Sequence, residues 1–341
     1  MKLFIVGSDK IYAIENYYVK HLKVSGVEVF HFPAQTIFYD YYLKSILNKI
    51  IYKFNLSNIT KKINNEFRKE VIKFKPDVIW IFKGMEIFPE SIEWAKGKGI
   101  AFVNYNPDNP FIFSGKGSGN LNVRNSIHLY DLHLTYNNTV KNEISNKYKI
   151  STRILPFGFD LSDEVFKECC LEMEIMKTCF LGNPDIHRSS FLLKLAEQGI
   201  KIDIYGSNWN KFLKHPNIKI FMPVFGTEVW KTLRKYRVQL NLMRLHNPDS
   251  HNMRSFEIPG VGGIQLAPNT DDHRMYFEPN KEIFLFENVE ECKTKILLLL
   301  NLPLEEAKEI RFNSRKRSLI SEYSYQHRSE QALSYINAIY E

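Results

Sequence analysis

Apolar positions along this chain follow two rhythms. Short continuous runs occur at KLFIVGS (2–8), VEVFHFP (27–33), PDVIWIFKG (76–84), IAFVNYNPD (100–108) and DLHLTYN (131–137). Between them lie stretches such as IENYYVKHLKVSG (14–26), whose apolar residues recur at helical spacing. Runs that are apolar throughout fit strands covered on both faces, and their alternation with helices predicts a parallel sheet between two helical layers.

The pattern restarts after RILPFGFD (153–160). KTCFLGN (177–183) reads as a new first strand, and FLLKLAEQG (191–199) as a helix closed by Gly199. IKIDIYGS (200–207), NIKIFMPV (217–224), VQLNLMR (238–244) and EIFLFEN (282–288) read as further strands, with a helix through EVWKTLRKYR (228–237) and helix from Val289 onward. The chain therefore divides into two consecutive α/β halves joined at the turn-rich PFGFD. At 341 residues and 44% hydrophobic, each half is large enough to bury its own core.

Composition narrows the setting. The four cysteines, Cys169, Cys170, Cys179 and Cys292, lack metal spacing and make poor disulfide partners, so they read as thiols in a reducing compartment. MKLFIVGSDK is too short in apolar residues for a secretory leader, and no run approaches the ~18 apolar residues of a membrane span. A cytoplasmic protein is expected. The net charge of +8 suits nucleic acid, an anionic membrane or an anionic small substrate, without choosing among them.

Open α/β sheets bind ligands at the carboxyl ends of their strands, so a cleft between the two halves is the expected site. NMRSFEIPGVGGIQLAP (252–268) concentrates the chemistry. It does not fit G-x-G-x-x-G after a first strand, and nothing reads as a P-loop, which argues against dinucleotide oxidoreductases and P-loop enzymes. Gly260, Gly262 and Gly263 either end a short helix or let backbone approach a ligand. Glu257 reads as an acid near a helix start, with Pro259 tolerated in the first turn; it suits hydroxyl donors or a local pair with Arg254. Arg188 and Arg254 each follow a strand near a helix start, where bidentate phosphate contacts are favoured, and Arg244 is a third candidate. In the first half, Asp108 ends a strand within NPDNP as a general base or a turn residue. Glu15, Asp9 and His21 follow the first strand as weaker acceptor-side candidates.

The segment from about Met176 to Ile339 resembles the group 1 glycosyltransferases, in the branch that includes bacterial spore-maturation proteins. FLGNPDIHRSSFLLKLAEQGIKIDIYGSNW, NMRSFEIPGVGG, YFEPNKEIFLFENVEE and YSYQHRSEQALSYI carry the resemblance, joined by LPFGFD and NPDNPF (106–111). It implies a GT-B fold of two Rossmann-like domains facing across a cleft. The N-terminal acceptor-side domain would span 1–158 and the nucleotide-sugar domain 159–325, with a final helix, 326–341, crossing back to the first. It further implies a metal-independent transferase without cofactor, whose diphosphate is neutralised by Arg188 and Arg254. Gly182, Arg244, Gly262 and Gly263 would complete the donor site. Glu257 would match the second acid of the E-x7-E motif, which holds the ribose. Asp249 stands where the first acid would fall, giving D-x7-E and a shorter reach beside the transferred sugar; it is a catalytic candidate with Asp108. His327 would pack the crossing helix.

The expected reaction moves a sugar from a nucleoside diphosphate to a hydroxyl of a carbohydrate or lipid-linked cell-surface precursor, with retention favoured. Residues 38–75 mix aromatic and aliphatic residues with many Lys and Arg, which suits either peripheral contact with the inner membrane face or a solvated helix with a core stripe. The rivals are a nucleotide-sugar epimerase of the same fold and a non-catalytic basic protein for membrane or nucleic acid. No compact nucleic-acid motif is present, so no nucleic-acid partner is expected.

Overall fold

The computed structural model describes residues 1–113, 118–244 and 250–340. The chain forms two compact units, Met1–Pro156 with Gln326–Glu341, and Phe157–Tyr325. The first unit runs β1 (Lys2–Val6), α1 (Ile14–Val24), β2 (Glu28–Phe32), α2 (Ala34–Lys44), α3 (Ile46–Lys53), α4 (Ile59–Phe74), β3 (Val78–Phe82), α5 (Pro89–Lys96), β4 (Ala101–Tyr105), α6 (Leu121–Ser126), β5 (Leu132–Thr135), α7 (Asn138–Tyr148) and β6 (Ser151–Ile154). Its six strands are all parallel, in the order β2-β1-β3-β4-β5-β6.

The apolar runs become the central strands because both faces are covered. All five residues of β3 are buried. Phe4, Val6, Ile79, Ile81 and Phe102 pack on one face against Ile63, Phe67 and Val71 of α4, spaced four apart on one helical stripe. In this part of 38–75 the apolar stripe therefore belongs to the core. α3 is different: none of its residues is buried.

The second unit runs α8 (Asp163–Cys170), β7 (Ile175–Leu181), α9 (Ile186–Glu197), β8 (Ile202–Tyr205), β9 (Ile218–Phe221), α10 (Thr227–Lys235), β10 (Tyr236–Leu240), α11 (Arg254–Gly260), β11 (Gln265–Pro268), α12 (Asp271–Tyr276), β12 (Phe284–Phe286), α13 (Val289–Leu300) and α14 (Leu304–Ile320). Its sheet is also parallel, ordered β12-β11-β10-β7-β8-β9. Phe180, Val238, Leu240, Ile202 and Leu266 form its core with α9 and α13. On the other face Glu174 binds Arg237 at 2.9 and 2.5 Å and Arg311 of α14 at 2.7 Å, so the burial of both guanidinium groups is matched by a carboxylate.

The chain enters and leaves this unit side by side. Phe159 bridges Ser324, with its N–H on the Tyr323 carbonyl at 3.2 Å and its carbonyl taking the Tyr325 N–H at 2.9 Å. Gly158 is required there, since a Cβ would stand 2.7 Å from the Tyr323 oxygen. The last helix, α15 (Tyr325–Tyr340), then belongs to the first unit from Gln326. Among the described residues no helix is long and apolar enough to cross a membrane.

Candidate functional site

In the second sheet β7 and β10 are neighbours but not consecutive, so the strand order reverses between them, which is where open α/β sheets form a ligand crevice. Gly182 follows β7. Its carbonyl accepts the indole N–H of Trp209 at 2.8 Å, and it packs so closely on the next strand's end that a Cβ on Gly206 would lie 2.2 Å from its oxygen. Asp185 then caps α9, accepting the Arg188 N–H at 2.9 Å. The Arg188 side chain folds back, 8% exposed, and donates to the carbonyls of Asn183 at 3.2 Å and Leu242 at 2.7 Å. It thus ties the end of β7 to the end of β10.

α11 begins beyond β10 with Arg254, and Glu257 follows in its first turn. Glu257 is 3% exposed and is ion-paired to Arg254, so the local pair that the spacing allowed is formed. Pro259 lies inside the helix near its end and not in the first turn as the sequence reading had it.

The start of α11 is fixed by residues that the sequence reading did not single out. Asn252 donates to Asn241 at 2.8 Å, Asn241 donates to Ser255 at 3.1 Å, and the Ser255 hydroxyl meets His273 Nε2 at 2.8 Å. His273 Nδ1 sits 2.9 Å from the Pro268 carbonyl, which can only accept, so Nδ1 carries a proton and, in the neutral ring, Nε2 accepts. Burial lowers its pKa to about 4, consistent with that tautomer. Beside it His251 accepts the Phe157 N–H at 3.4 Å on Nε2 and donates from Nδ1 to Asp272 at 2.7 Å. Such a hydrogen-bonded set lets a polar loop end be buried without loss.

Electrostatics brings the arginines together. Burial, and then the charges of Arg244 and Arg254, lower the Arg188 pKa to about 10, with Asp185 opposing them. The charges of Arg244 and Arg254 therefore reach Arg188 at the carboxyl edge of β7 and β10, and Glu257 is paired with Arg254. Arg244 is exposed. Asp249 lies outside the described residues.

Gly262 and Gly263, expected to let backbone approach a donor, do a packing job. They precede β11 at its amino end. Gly262 has φ +67°, and a Cβ there would stand 3.1 Å from the Arg311 carbonyl; one on Gly263 would meet Ile258 at 2.7 Å and the Gln239 amide oxygen at 2.8 Å.

In the first sheet the order reverses between β1 and β3, and here the residues are acidic. Glu15, in the first turn of α1, accepts the Ser8 N–H at 3.0 Å; Gly7 makes room, since a Cβ there would lie 2.4 Å from its oxygen. Burial pushes the Glu15 carboxyl up to about 7. Glu86, in the loop after β3, was missed by the sequence reading. Asn64 of α4 holds that loop, donating to the Glu86 carbonyl at 2.9 Å and accepting the Phe88 N–H at 2.9 Å. The Glu86 carboxyl is 6% exposed and is likewise pushed up to about 7 by burial, with the Glu15 charge adding to the shift. Lys83, at φ +59°, extends to Asp108, whose carboxylate it meets at 2.6 Å. Asp108 is thus already engaged by a cation. Asp9 is exposed at the turn after β1, its N–H on Thr36 at 3.2 Å. His21 sits in the last turn of α1, about 9 Å along the axis from Glu15, which takes it away from this edge. Among the described residues no group of three or more His, Cys, Asp or Glu is placed to hold a metal ion.

With this geometry in view, known proteins sharpen the picture. Residues 188–334 match the family model described as Glycosyl transferase-like. No curated protein matches the sequence. Among solved structures, sucrose-phosphate synthase from Thermosynechococcus elongatus is 11% identical, covering 100% of this chain and 99% of its own, with a TM-score of 0.69. The Anabaena HepE protein in complex with UDP and glucose is 11% identical over 99% of this chain and 100% of its own, with a TM-score of 0.64. A UDP-N-acetylglucosamine 2-epimerase from Listeria monocytogenes, so described as a putative assignment, is 12% identical over 100% and 96%, with a TM-score of 0.58. These likenesses establish the fold, two Rossmann-like parallel sheets of the GT-B type. The matched segment runs from within α9 to within α15 and includes Arg254 and Glu257, so this part of the chain is similar to that family. The spore-maturation branch has no separate support.

Proposed function

We propose that the chain is a glycosyltransferase that moves a sugar from a nucleoside diphosphate to a hydroxyl of a carbohydrate or lipid-linked precursor, without a bound metal. The observation that carries this reading is the shared position of Arg188, Arg244 and Arg254 at the β7/β10 reversal, where positive charge opposes the diphosphate charge that grows as the sugar departs. Arg188 spends one N–H of each terminal nitrogen on a carbonyl and turns its Nε towards Asp185 at 3.6 Å, which leaves one N–H on each terminal nitrogen for phosphate oxygens. Glu257, held by Arg254, accepts from ribose hydroxyls. The likeness in fold to HepE, solved in complex with UDP and glucose, supports this reading.

On the acceptor side Glu86 and Glu15 share one edge with Asp108, and their ordinary range has been moved to near neutrality. They orient the incoming hydroxyl. The D-x7-E spacing from Asp249 to Glu257 supports retention of configuration, in which the departing diphosphate takes the hydroxyl proton. Inversion would instead assign that proton to Asp108 or Glu86.

Incubating the protein with UDP- and GDP-sugars, with and without candidate acceptors, tests the reading. Transfer to an acceptor with retained anomeric configuration is expected. Isomerisation of the donor in the absence of acceptor would replace it by the epimerase that the Listeria likeness keeps in play.

Peripheral contact with an anionic membrane belongs to the same proposal. Leu43, Ile46, Leu47, Ile50 and Phe54 on and around α3 are 47–76% exposed, interleaved with Lys44, Lys49 and Lys53. That pairing of apolar and basic positions suits the headgroup boundary of anionic lipid.

A further inference from the structure

The second unit holds a cavity at the opposite edge of its sheet from the arginine cluster. It has a volume of about 430 Å³, within the ~300–1,000 Å³ of small-molecule sites. Gly262, before the amino end of β11, and Arg234, at the end of α10, mark that edge. Five cationic side chains line it, Arg234, Lys308, Arg311, Arg315 and Lys316, and no carboxylate does.

The five do not have equal work. Arg311 is committed to the carbonyls of Arg234, Gly262 and Tyr236 and to Glu174. Arg315 donates to the Gly260 carbonyl at 2.6 Å, meets Asp163 at 3.3 Å, and lies 3.4 Å over the Phe166 ring. These two build the floor. The other three remain for a ligand. Arg234 has a buried Nε with no hydrogen-bond partner. Lys308 has only an exposed pair with Glu305 at 2.8 Å, and such pairs are weak. Lys316 stands over the Phe312 ring at 5.8 Å.

The remaining wall is apolar. Phe166, Phe312, Leu319 and Ile320 line the cavity, and the last three are 65%, 50% and 69% exposed. Side chains of this kind are costly to leave in water on a helix whose other face is already packed. A buried N–H without an acceptor adds to that cost. Inorganic phosphate would satisfy the cations and leave the apolar wall wet; a neutral hydrocarbon would do the reverse.

We propose that this cavity binds an anionic amphiphile, a phosphate or carboxylate head joined to a single apolar chain, with the head on Arg234, Lys308 and Lys316 and the chain against Phe166, Phe312, Leu319 and Ile320. The site is separate from the donor site and does not depend on how that site is read.

Calorimetry on the full chain with dodecyl phosphate below its critical micelle concentration tests this, with dodecyl maltoside and inorganic phosphate as controls. One dodecyl phosphate per chain is expected, with each control at least about tenfold weaker. Lys308→Glu with Lys316→Glu, and separately Phe312→Asp, should each weaken binding by about tenfold or more, the scale of a lost charge-assisted contact. These positions are exposed, so the variants keep the fold, and an unchanged circular dichroism spectrum and melting temperature serve as the check. Equal binding of the neutral detergent, equal binding of inorganic phosphate, or unaltered binding in both variants would each overturn the proposal. Flotation with vesicles containing anionic phospholipid separates the sources. Binding to monomer and vesicle points to a membrane lipid, and binding to monomer alone to a soluble amphiphile. Adsorption to vesicles without monomer binding would reject the cavity as the site.

Discussion

The two units use one architecture with opposite electrostatics. Each has six parallel strands and a reversal of strand order, and each places buried charged groups with displaced pKa values at that reversal. At β7/β10 burial and mutual repulsion act on arginines; at β1/β3 burial acts on carboxyls. A scaffold of this kind supplies a place, and the residues after each strand decide whether it holds an anion or a hydroxyl. Under the proposed transfer, the contrast would match one partner that brings two phosphates and another that brings an O–H.

Removing cations from the basic edge should have the largest effect. Arg254→Ala is expected to weaken UDP or GDP binding about 10- to 100-fold by calorimetry, the scale of one or two charge-assisted hydrogen bonds. Arg188→Ala should do the same and also lower the melting temperature, because the Asn183 and Leu242 carbonyls lose their donors. Unchanged nucleotide affinity in both would erase the distinction between the two edges.

A smaller effect is expected at the acidic edge. Glu86→Gln should raise the acceptor KM about tenfold while nucleotide affinity stays as it was. A fall in kcat of about a hundredfold or more would instead mark Glu86 as the base and favour inversion.

The same carboxyls carry a signature in stability. Folding raises Glu15 and Glu86 from 4.5 to about 7, so the folded chain binds protons more tightly than the unfolded one. Their contribution is full below about 4.5 and is lost as pH rises through about 7. Glu86→Gln should therefore melt a few degrees above the wild type at pH 8, with the gap closing by pH 5, as followed by calorimetric scans. A gap independent of pH would mean that the carboxyl is not buried as described. The smallest effect is expected on α3, where Ile46→Asp with Ile50→Asp should lower cosedimentation with anionic vesicles several-fold and leave transfer to a soluble acceptor unaltered.

Much of this was legible from residues alone. Central strands announce themselves because two covered faces demand unbroken apolar runs, as in VIWIF. β6 was not read as a strand because it is an edge strand, STRI, with only Thr152 buried. α8 was passed over although Ser162 followed by acids is a fair helix start. Arg188, Arg244 and Arg254 stood out by their places after strands. Glu86 did not, because its burial depends on Asn64 reaching across from α4, 22 residues away. His251, Asp272 and His273 escaped notice for the same reason: each takes its role from a partner distant in sequence. Gly262 and Gly263 misled because a helix packing on the backbone and a ligand approaching it ask for the same residue.

The Phe159–Ser324 bridge has a practical consequence. Because the incoming and outgoing strands of polypeptide are stitched together, residues 157–325 form an uninterrupted cassette whose two ends already touch. Such a piece lends itself to expression alone, or to insertion into a host loop, whereas the first unit needs a new linker joining residue 156 to 326 before it becomes a single chain.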